Sequence, residues 1–141
     1  MNLKERAAGG LLALACGDAL ANGVEFSPRG SAEITDMHST RRYLPEGQWS
    51  DDTGLALCLG ESLVENNGFD PADQMRRYEG FLRSQGGLAL WLGLAPGNTL
   101  GAALKKFKFT EEPFAGSTHP LAAGNGGLMR LLPAIIARPP G

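Results

Sequence analysis

Excess charge of either sign is missing from this chain. Thirteen Lys and Arg against 15 Asp and Glu leave a formal charge of −2, too little positive field to hold a nucleic-acid backbone, whose binding rests on neutralising phosphates. The only basic clusters, Arg41-Arg42 and Lys105-Lys106-Phe107-Lys108, are short. They read as solvated surface, and no aromatic–basic face accompanies them. Nucleic acid is therefore not an expected partner. Nor is a membrane, because no apolar run approaches the roughly 20 residues that span a bilayer. The N-terminus does not read as a secretory leader, so the expected location is the cytoplasm. Cysteine is scarce: Cys16 and Cys58 each lie inside an apolar run and read as small buried hydrophobes. His38 and His119 stand too far apart for a zinc-like spacing. No stretch alternates as a half-buried strand does, which excludes the sheet-based architectures.

What remains is helical patterning interrupted by glycine and proline. Residues Asn2 to about Leu20 read as a helix with an apolar stripe of Ala7, Leu11, Leu12, Leu14 and Ala15, and Gly9-Gly10 allow close packing. From Val24 to Gly47 no period is sustained, and Pro28, Gly30, Pro45 and Gly47 mark a long loop with room for one short extended piece. The clearest helix starts at Ser50 and carries Leu55, Leu59, Ser62 and Leu63 inward as far as Asn66-Asn67-Gly68. Asp70-Pro71 opens the next, with Met75, Tyr78, Phe81 and Leu82 inward, ending at Gln85-Gly86-Gly87. Gly97-Asn98-Thr99 opens a shorter one with Leu100 and Leu104 on one face. A last helix is expected from Leu128 to about Ala137, before Arg138-Pro139-Pro140-Gly141. The fold class is all-α, with residues 1–141 forming part of one domain and no internal repeat.

Three features point toward chemistry. Ser50-Asp51-Asp52-Thr53 places a hydroxyl beside two carboxylates. This is an oxygen-only ligand set suited to a hard cation such as Mg²⁺, Ca²⁺ or Mn²⁺, because adjacent carboxylates repel unless a cation lies between them. The same residues also read as a plain capped helix start, with Ser50 as N-cap and acids in the first turn. Gly124-Asn125-Gly126-Gly127 precedes a helix and suits an anion such as a pyrophosphate, although as an isolated glycine-rich turn it is also an ordinary loop. Glu25 lies just past the first helix, within reach of a ligand or else on the surface. Asp18 sits near a helix C-terminus, where the dipole disfavours it, so it needs a compensating partner.

Taken in order, Gly17-Asp18-Ala19-Leu20, Val24-Glu25-Phe26, Gly47-Gln48-Trp49-Ser50-Asp51-Asp52-Thr53-Gly54-Leu55-Ala56-Leu57 and Gly124-Asn125-Gly126-Gly127-Leu128-Met129-Arg130 resemble the successive N-terminal motifs of the ADP-ribosylglycohydrolase family. Four ordered motifs over nearly the whole chain are far more specific than any one alone. The resemblance implies an all-α helical bundle around a dinuclear magnesium site, with Mn²⁺ as the alternative ion. Ser50, Asp51 and Asp52 match the family's first trio of metal ligands, and Glu25 matches an acid on a flap. Gly124, Asn125, Gly126 and Gly127 match the segment lying against the ADP-ribose phosphates, and Asp18 matches a supporting position. The activity implied is hydrolysis of the N- or O-glycosidic bond linking ADP-ribose to a protein side chain or small acceptor, with Glu25, Asp51 or Asp52 moving the proton.

Two departures accompany the resemblance. Met37-His38-Ser39-Thr40-Arg41-Arg42 stands where family members carry a glycine-rich run. The family's second metal trio, Asp-x-Asp-Ser/Thr, has no counterpart. The expectation is accordingly a chain truncated at its C-terminal side, inactive or weakly active alone, or one completed by a second chain that supplies the missing half. A non-catalytic ADP-ribose-binding module and a structural or interaction protein are the competing readings.

Overall fold

The computed structural model describes residues 2–38, 44–84 and 97–138. Among them every regular element is a helix and no strand occurs: α1 (Leu3–Asn22), α2 (Asp51–Glu65), α3 (Pro71–Ser84), α4 (Asn98–Thr110), α5 (Gly126–Met129) and α6 (Leu131–Ala137). Arg41-Arg42, the expected stop at Gln85-Gly86-Gly87 and the Pro139-Pro140-Gly141 end lie outside the described residues.

The helix ends follow from local chemistry. α1 starts with a capping box: the Glu5 N–H donates to Asn2 Oδ1 at 2.9 Å and the Asn2 N–H to Glu5 Oε2 at 2.9 Å. α2 stops at a Schellman closure, with Asn67 left-handed (φ 48°), the Gly68 N–H donating to the Leu63 carbonyl at 3.0 Å and the Asn67 N–H to that of Val64 at 3.2 Å. α3 begins where Asp70 Oδ1 accepts the Ala72 and Asp73 N–H groups, both at 2.9 Å, with Pro71 in the first turn.

α2 is the central element, packed against α1, α3, α5 and α6. Its Leu55, Cys58 and Leu59 meet Met75 and Tyr78 of α3 and Ala103, Leu104 and Phe107 of α4, with Leu63, Phe81, Leu82 and Leu100 closing the edges. Each large apolar side chain buried in this way contributes about 1.5–3 kcal/mol. The approach of α3 to α2 requires glycine at one point: a Cβ on Gly54 would lie 2.1 Å from Phe81 Cζ, so the Phe81 ring rests directly on the α2 backbone.

Four sequence expectations are corrected. α1 runs two residues beyond Leu20, and its inner stripe is Ala7, Leu11, Leu14 and Ala15, with Leu12 turned outward at 67% exposure. Cys16, one turn past Leu12 on that same outer side, is exposed, whereas Cys58 is buried and its thiol is pushed up to about 11, chiefly by that burial. Of the two glycines expected to permit close packing, Gly10 does so, since its Cβ would lie 3.1 Å from Leu132 Cδ2, while Gly9 faces open space. The single terminal helix is two, broken at Arg130. Pro133 has no N–H to give the Met129 carbonyl and its ring crowds that carbonyl, so α5 ends at Met129 and α6 restarts at Leu131.

Candidate functional site

The inner stripe of α1 changes character at its end. One turn past Leu14 and Ala15, the same face presents half-buried Asp18 and then buried Asn22. Asp18 is thereby aimed at the N-terminus of α2 and accepts five hydrogen bonds. Oδ2 accepts the Ser50 N–H at 2.9 Å, the Thr53 N–H at 3.0 Å and the Thr53 hydroxyl at 2.6 Å. Oδ1 accepts the Ser50 hydroxyl at 2.6 Å and Asn22 Nδ2 at 3.3 Å. Asn22 Nδ2 also donates to the Gln48 carbonyl at 3.0 Å, tying the chain just before Ser50 to the end of α1.

This arrangement replaces the expected cap. Ser50 stands at the N-cap position with extended backbone, but its side chain makes no capping hydrogen bond. The Thr53 amide, one that an N-cap side chain ordinarily satisfies, is taken by Asp18 from another helix. The partner that Asp18 needs is therefore the positive end of the α2 dipole.

Beyond the cap, α2 opens with Asp51 and Asp52. Asp51 is half-buried and its carboxyl is pushed up from 3.8 to about 7, first by burial, then by the charges of Asp52, Glu25 and Asp18. The carboxyl of Asp52 is raised as well, first by burial and then by Asp18, although its surface is more open to solvent. Glu25 lies on the exposed turn that follows α1, where the Ser27 N–H donates to the Val24 carbonyl at 3.0 Å and Phe26 takes a left-handed φ of 62°. The turn brings Glu25 close enough to act on the Asp51 charge. Four carboxylates thus surround one helix start, and their mutual repulsion is the condition a bound cation relieves. The nearby donors are oxygens only, which fits a hard divalent ion. Among the described residues, however, no three His, Cys, Asp or Glu side chains converge tightly enough to enclose a metal on their own. The residues present fit part of an ion site, with the Ser50 hydroxyl as a further oxygen.

The glycine loop rests on the same support, since α5 packs against α2. Gly124 abuts the start of α4: a Cβ there would lie 2.5 Å from Thr99 Oγ1 and 2.7 Å from Thr99 Cβ, so this position has no room for a side chain. Gly124, Asn125 and Gly127 are exposed. The helix behind them has only four residues, and the Leu128 N–H is committed to the Asn125 carbonyl at 2.9 Å, so the dipole offered to an anion is that of a single turn. Arg130, which ends α5, donates through Nε to the Gly126 carbonyl at 2.7 Å and sits 5.0 Å over the Tyr78 ring. An open groove of about 1100 Å³ between α1, α2 and α6, lined by Leu11, Leu57, Val64, Phe69, Pro133 and Ile136 among others, is largely apolar. It shares no residue with the carboxylate group.

Of the expected site residues, Ser50, Asp51 and Asp52 stand at the start of α2, and Glu25 lies on the turn after α1, near enough to act on the Asp51 charge. On sequence alone Asp18 has only a supporting position in need of a partner, and nothing is assigned to Asn22 or to Thr53. The signal for the first two was available, because Leu11, Leu14/Ala15, Asp18 and Asn22 continue one helical face at spacings of three and four. Nothing in the sequence indicated that Thr53 would direct both its N–H and its hydroxyl to that face.

The sequence profile of the ADP-ribosylglycohydrolases matches residues 1–140, and the chain belongs to that family. It is 36% identical over 139 residues to the ADP-ribosylarginine hydrolase Tri1 of Pseudomonas putida (strain GB-1), covering 95% of this chain and 36% of that protein. It is 33% identical over 150 residues to the ADP-ribosyl-[dinitrogen reductase] glycohydrolase of Rhodospirillum rubrum, covering 96% of this chain and 46% of that protein. A solved structure described as an ADP-ribosylglycohydrolase-related protein complex superposes with a TM-score of 0.75 at 41% identity, over 94% of this chain and 42% of the other. The chain therefore spans less than half the length of these relatives. No helix among the described residues is long and apolar enough to cross a membrane.

Proposed function

We propose that this chain carries the first half of the ion site and the phosphate loop of an enzyme that hydrolyses the glycosidic bond between ADP-ribose and a protein side chain. The observation that carries the reading is the group of four carboxylates at the start of α2, with Asp51 pushed up to about 7 by burial and by its three acidic neighbours. A protein gains nothing in stability from such a grouping, and a divalent cation offsets its cost. Ser50, Asp51 and Asp52 would hold Mg²⁺ or Mn²⁺, which when bound supplies charge to orient ribose hydroxyls and to acidify water.

The remaining steps belong to the side chains. Asp51 and Asp52 would be held ionised by the cation and would fix the sugar face. Glu25, on a separate turn and not in α2, would take the proton of the water that attacks the anomeric carbon as the bond from that carbon to the acceptor breaks, and would return the proton to the departing acceptor atom. The transition state has oxocarbenium character, and the carboxylates stabilise its positive charge. Gly124, Asn125, Gly126 and Gly127 would let the pyrophosphate approach the backbone closely. Arginine is the acceptor favoured by the name of one relative, the ADP-ribosylarginine hydrolase Tri1 of Pseudomonas putida. Because the described carboxylates do not enclose an ion by themselves, turnover by this chain alone is expected to be weak, and further ligands would come from additional sequence or a second chain.

Calorimetric titration of Mg²⁺ or Mn²⁺, with and without ADP-ribose, tests the reading on wild type and on the Asp51→Ala/Asp52→Ala double variant. Binding that tightens with ADP-ribose and is lost in the double variant supports it. Binding of ADP-ribose that is indifferent to metal and to both substitutions would instead favour a non-catalytic recognition module.

A further inference from the structure

We infer that Asp18 is a positioning residue for the ion site, acting by taking over the cap of α2 so that the Ser50 hydroxyl is free to present its lone pairs to a cation. The inference rests on the metal-binding reading above. It starts from the valence of a hydroxyl, which has one proton to donate and two lone pairs to offer. A serine that ligates a cation must point a lone pair at the ion and its proton elsewhere. A serine at a helix N-cap ordinarily does something else: its oxygen accepts an amide N–H of the first turn, which turns the lone pairs into the helix. Ser50 occupies the N-cap position, so both demands fall on one oxygen.

Asp18 removes the conflict. Its Oδ2 accepts the Thr53 amide at 3.0 Å, the interaction an N-cap side chain would have made, and the Ser50 side chain makes none. Its Oδ1 accepts the Ser50 hydroxyl proton at 2.6 Å, within the short range of charge-assisted O–H···O⁻ bonds. With the proton fixed on Asp18, the Ser50 lone pairs face away from Asp18. The Thr53 hydroxyl is fixed in the same way at 2.6 Å, and the Ser50 amide at 2.9 Å holds the backbone immediately before Asp51. Asn22 steadies the carboxylate from α1 and is itself anchored to the Gln48 carbonyl. Partners of this kind, which orient a ligand without touching the ion, typically change metal affinity 10–100-fold when removed.

The test is a double-mutant cycle read by Mn²⁺ titration and by thermal unfolding, on wild type, Asp18→Asn, Ser50→Ala and the double variant. If Asp18 acts through the Ser50 hydroxyl, Asp18→Asn weakens Mn²⁺ binding about 10–100-fold in wild type and less than about threefold once Ser50 is alanine. Asp18→Asn still lowers Tm in the Ser50→Ala background, by somewhat less than in wild type, because the bonds from the Ser50 N–H and from the Thr53 N–H and hydroxyl remain there to be lost. An effect on Mn²⁺ affinity that is absent, or equal in both backgrounds, overturns the inference and leaves Asp18 as a cap alone. Asp51→Ala/Asp52→Ala is the separate control. If Mn²⁺ binding survives it, or is missing from wild type, the ion site itself is wrong and the inference falls with it. Should Asp18→Asn not fold, proton NMR of the wild type decides. The Ser50 and Thr53 hydroxyl protons are expected as slowly exchanging signals, with the Ser50 signal shifting yet persisting on addition of Mg²⁺. Its disappearance on Mg²⁺ addition would mean that the proton leaves Asp18 when the ion binds, which contradicts the inference.

Discussion

Helix α2 contains two glycines whose replacement by alanine should have opposite effects, although a helix-propensity argument treats them alike. In an exposed helix interior, Gly→Ala stabilises by about 1 kcal/mol. At Gly60 the structure permits that gain, since a Cβ would sit 3.8 Å from Pro133 Cβ, an ordinary contact. At Gly54 the new methyl would lie 2.1, 2.5 and 2.7 Å from three atoms of the Phe81 ring. Carbon atoms pack at about 3.5–4.0 Å, so the ring must retreat by more than 1 Å, on the order of a full overpacking penalty of about 1–3 kcal/mol. It also loses part of a side-chain burial worth about 1.5–3 kcal/mol. Subtracting the propensity gain leaves Gly54→Ala destabilised by about 2 kcal/mol, or roughly 4–8 °C in Tm for a chain of this size. Gly60→Ala should gain 0.5–1 kcal/mol, to the order of the propensity scale. Urea unfolding followed by far-ultraviolet circular dichroism and tryptophan fluorescence measures both. Phe81→Leu should recover part of the Gly54→Ala loss, because the smaller side chain vacates the contested space. If Gly54→Ala is as stable as wild type, Phe81 does not rest on the α2 backbone, and the placement of the helix that carries Asp51 and Asp52 is wrong.

The other predictions concern the site. Folding pushes the Asp51 carboxyl up from 3.8 to about 7, so this group favours the folded state most below about pH 4, and that advantage is lost as the pH rises through about 7. In chelator, Tm should therefore fall between pH 5 and pH 8. The fall should be smaller in Asp51→Asn and smaller again in wild type with saturating Mg²⁺; equal slopes in wild type and Asp51→Asn would refute the assignment. Gly124→Ala, which forces a methyl onto Thr99, should cost about 1–3 kcal/mol and raise the Kd for ADP-ribose several-fold. Unchanged affinity by calorimetry would detach the glycine loop from ligand binding. Phe26→Val should lower Tm more than Phe26→Asn, because a β-branched side chain is poorly accommodated at a φ of 62° whereas asparagine tolerates it. The reverse order in a melting series would argue against the turn that carries Glu25.

The fold was largely legible because α2, α3 and α4 bury one stripe each, and a buried stripe writes its period into the sequence. Leu55, Leu59, Met75, Tyr78 and Leu104 all occupy the positions their spacing implied. The failures share a cause. α1 buries only Ala19 and Asn22, and its inner stripe is half-buried at most, so nothing in the apolar run told Leu12 and Cys16, on the outer side, from Leu11, Leu14 and Ala15 on the inner one. The break at Arg130 was legible in Pro133 but was outweighed by the continuous apolar run around it. Within the site, Asp51 and Asp52 were conspicuous as adjacent acids. The bond from Asp18 to Thr53 joins residues 35 positions apart, and no local pattern encodes such a pair.

That long-range bond also changes how the motif Ser50-Asp51-Asp52-Thr53 should be understood. As a tetrapeptide it is indistinguishable from a capped helix start, and capping was a sound reading of it. The structure shows the capping function transferred to a residue of another helix, while the serine in the capping position makes no cap. A helix that needed only to begin at Ser50 would have no use for Asp18: serine caps alone, and a third, half-buried carboxylate beside Asp51 and Asp52 adds repulsion. The extra charge is accounted for if the first turn of α2 must be rigid and the Ser50 oxygen must be available for something other than the helix. In the proposed ion site, capping and ligand binding would compete for the same lone pairs, and the position of Asp18 would resolve that competition in favour of the ligand.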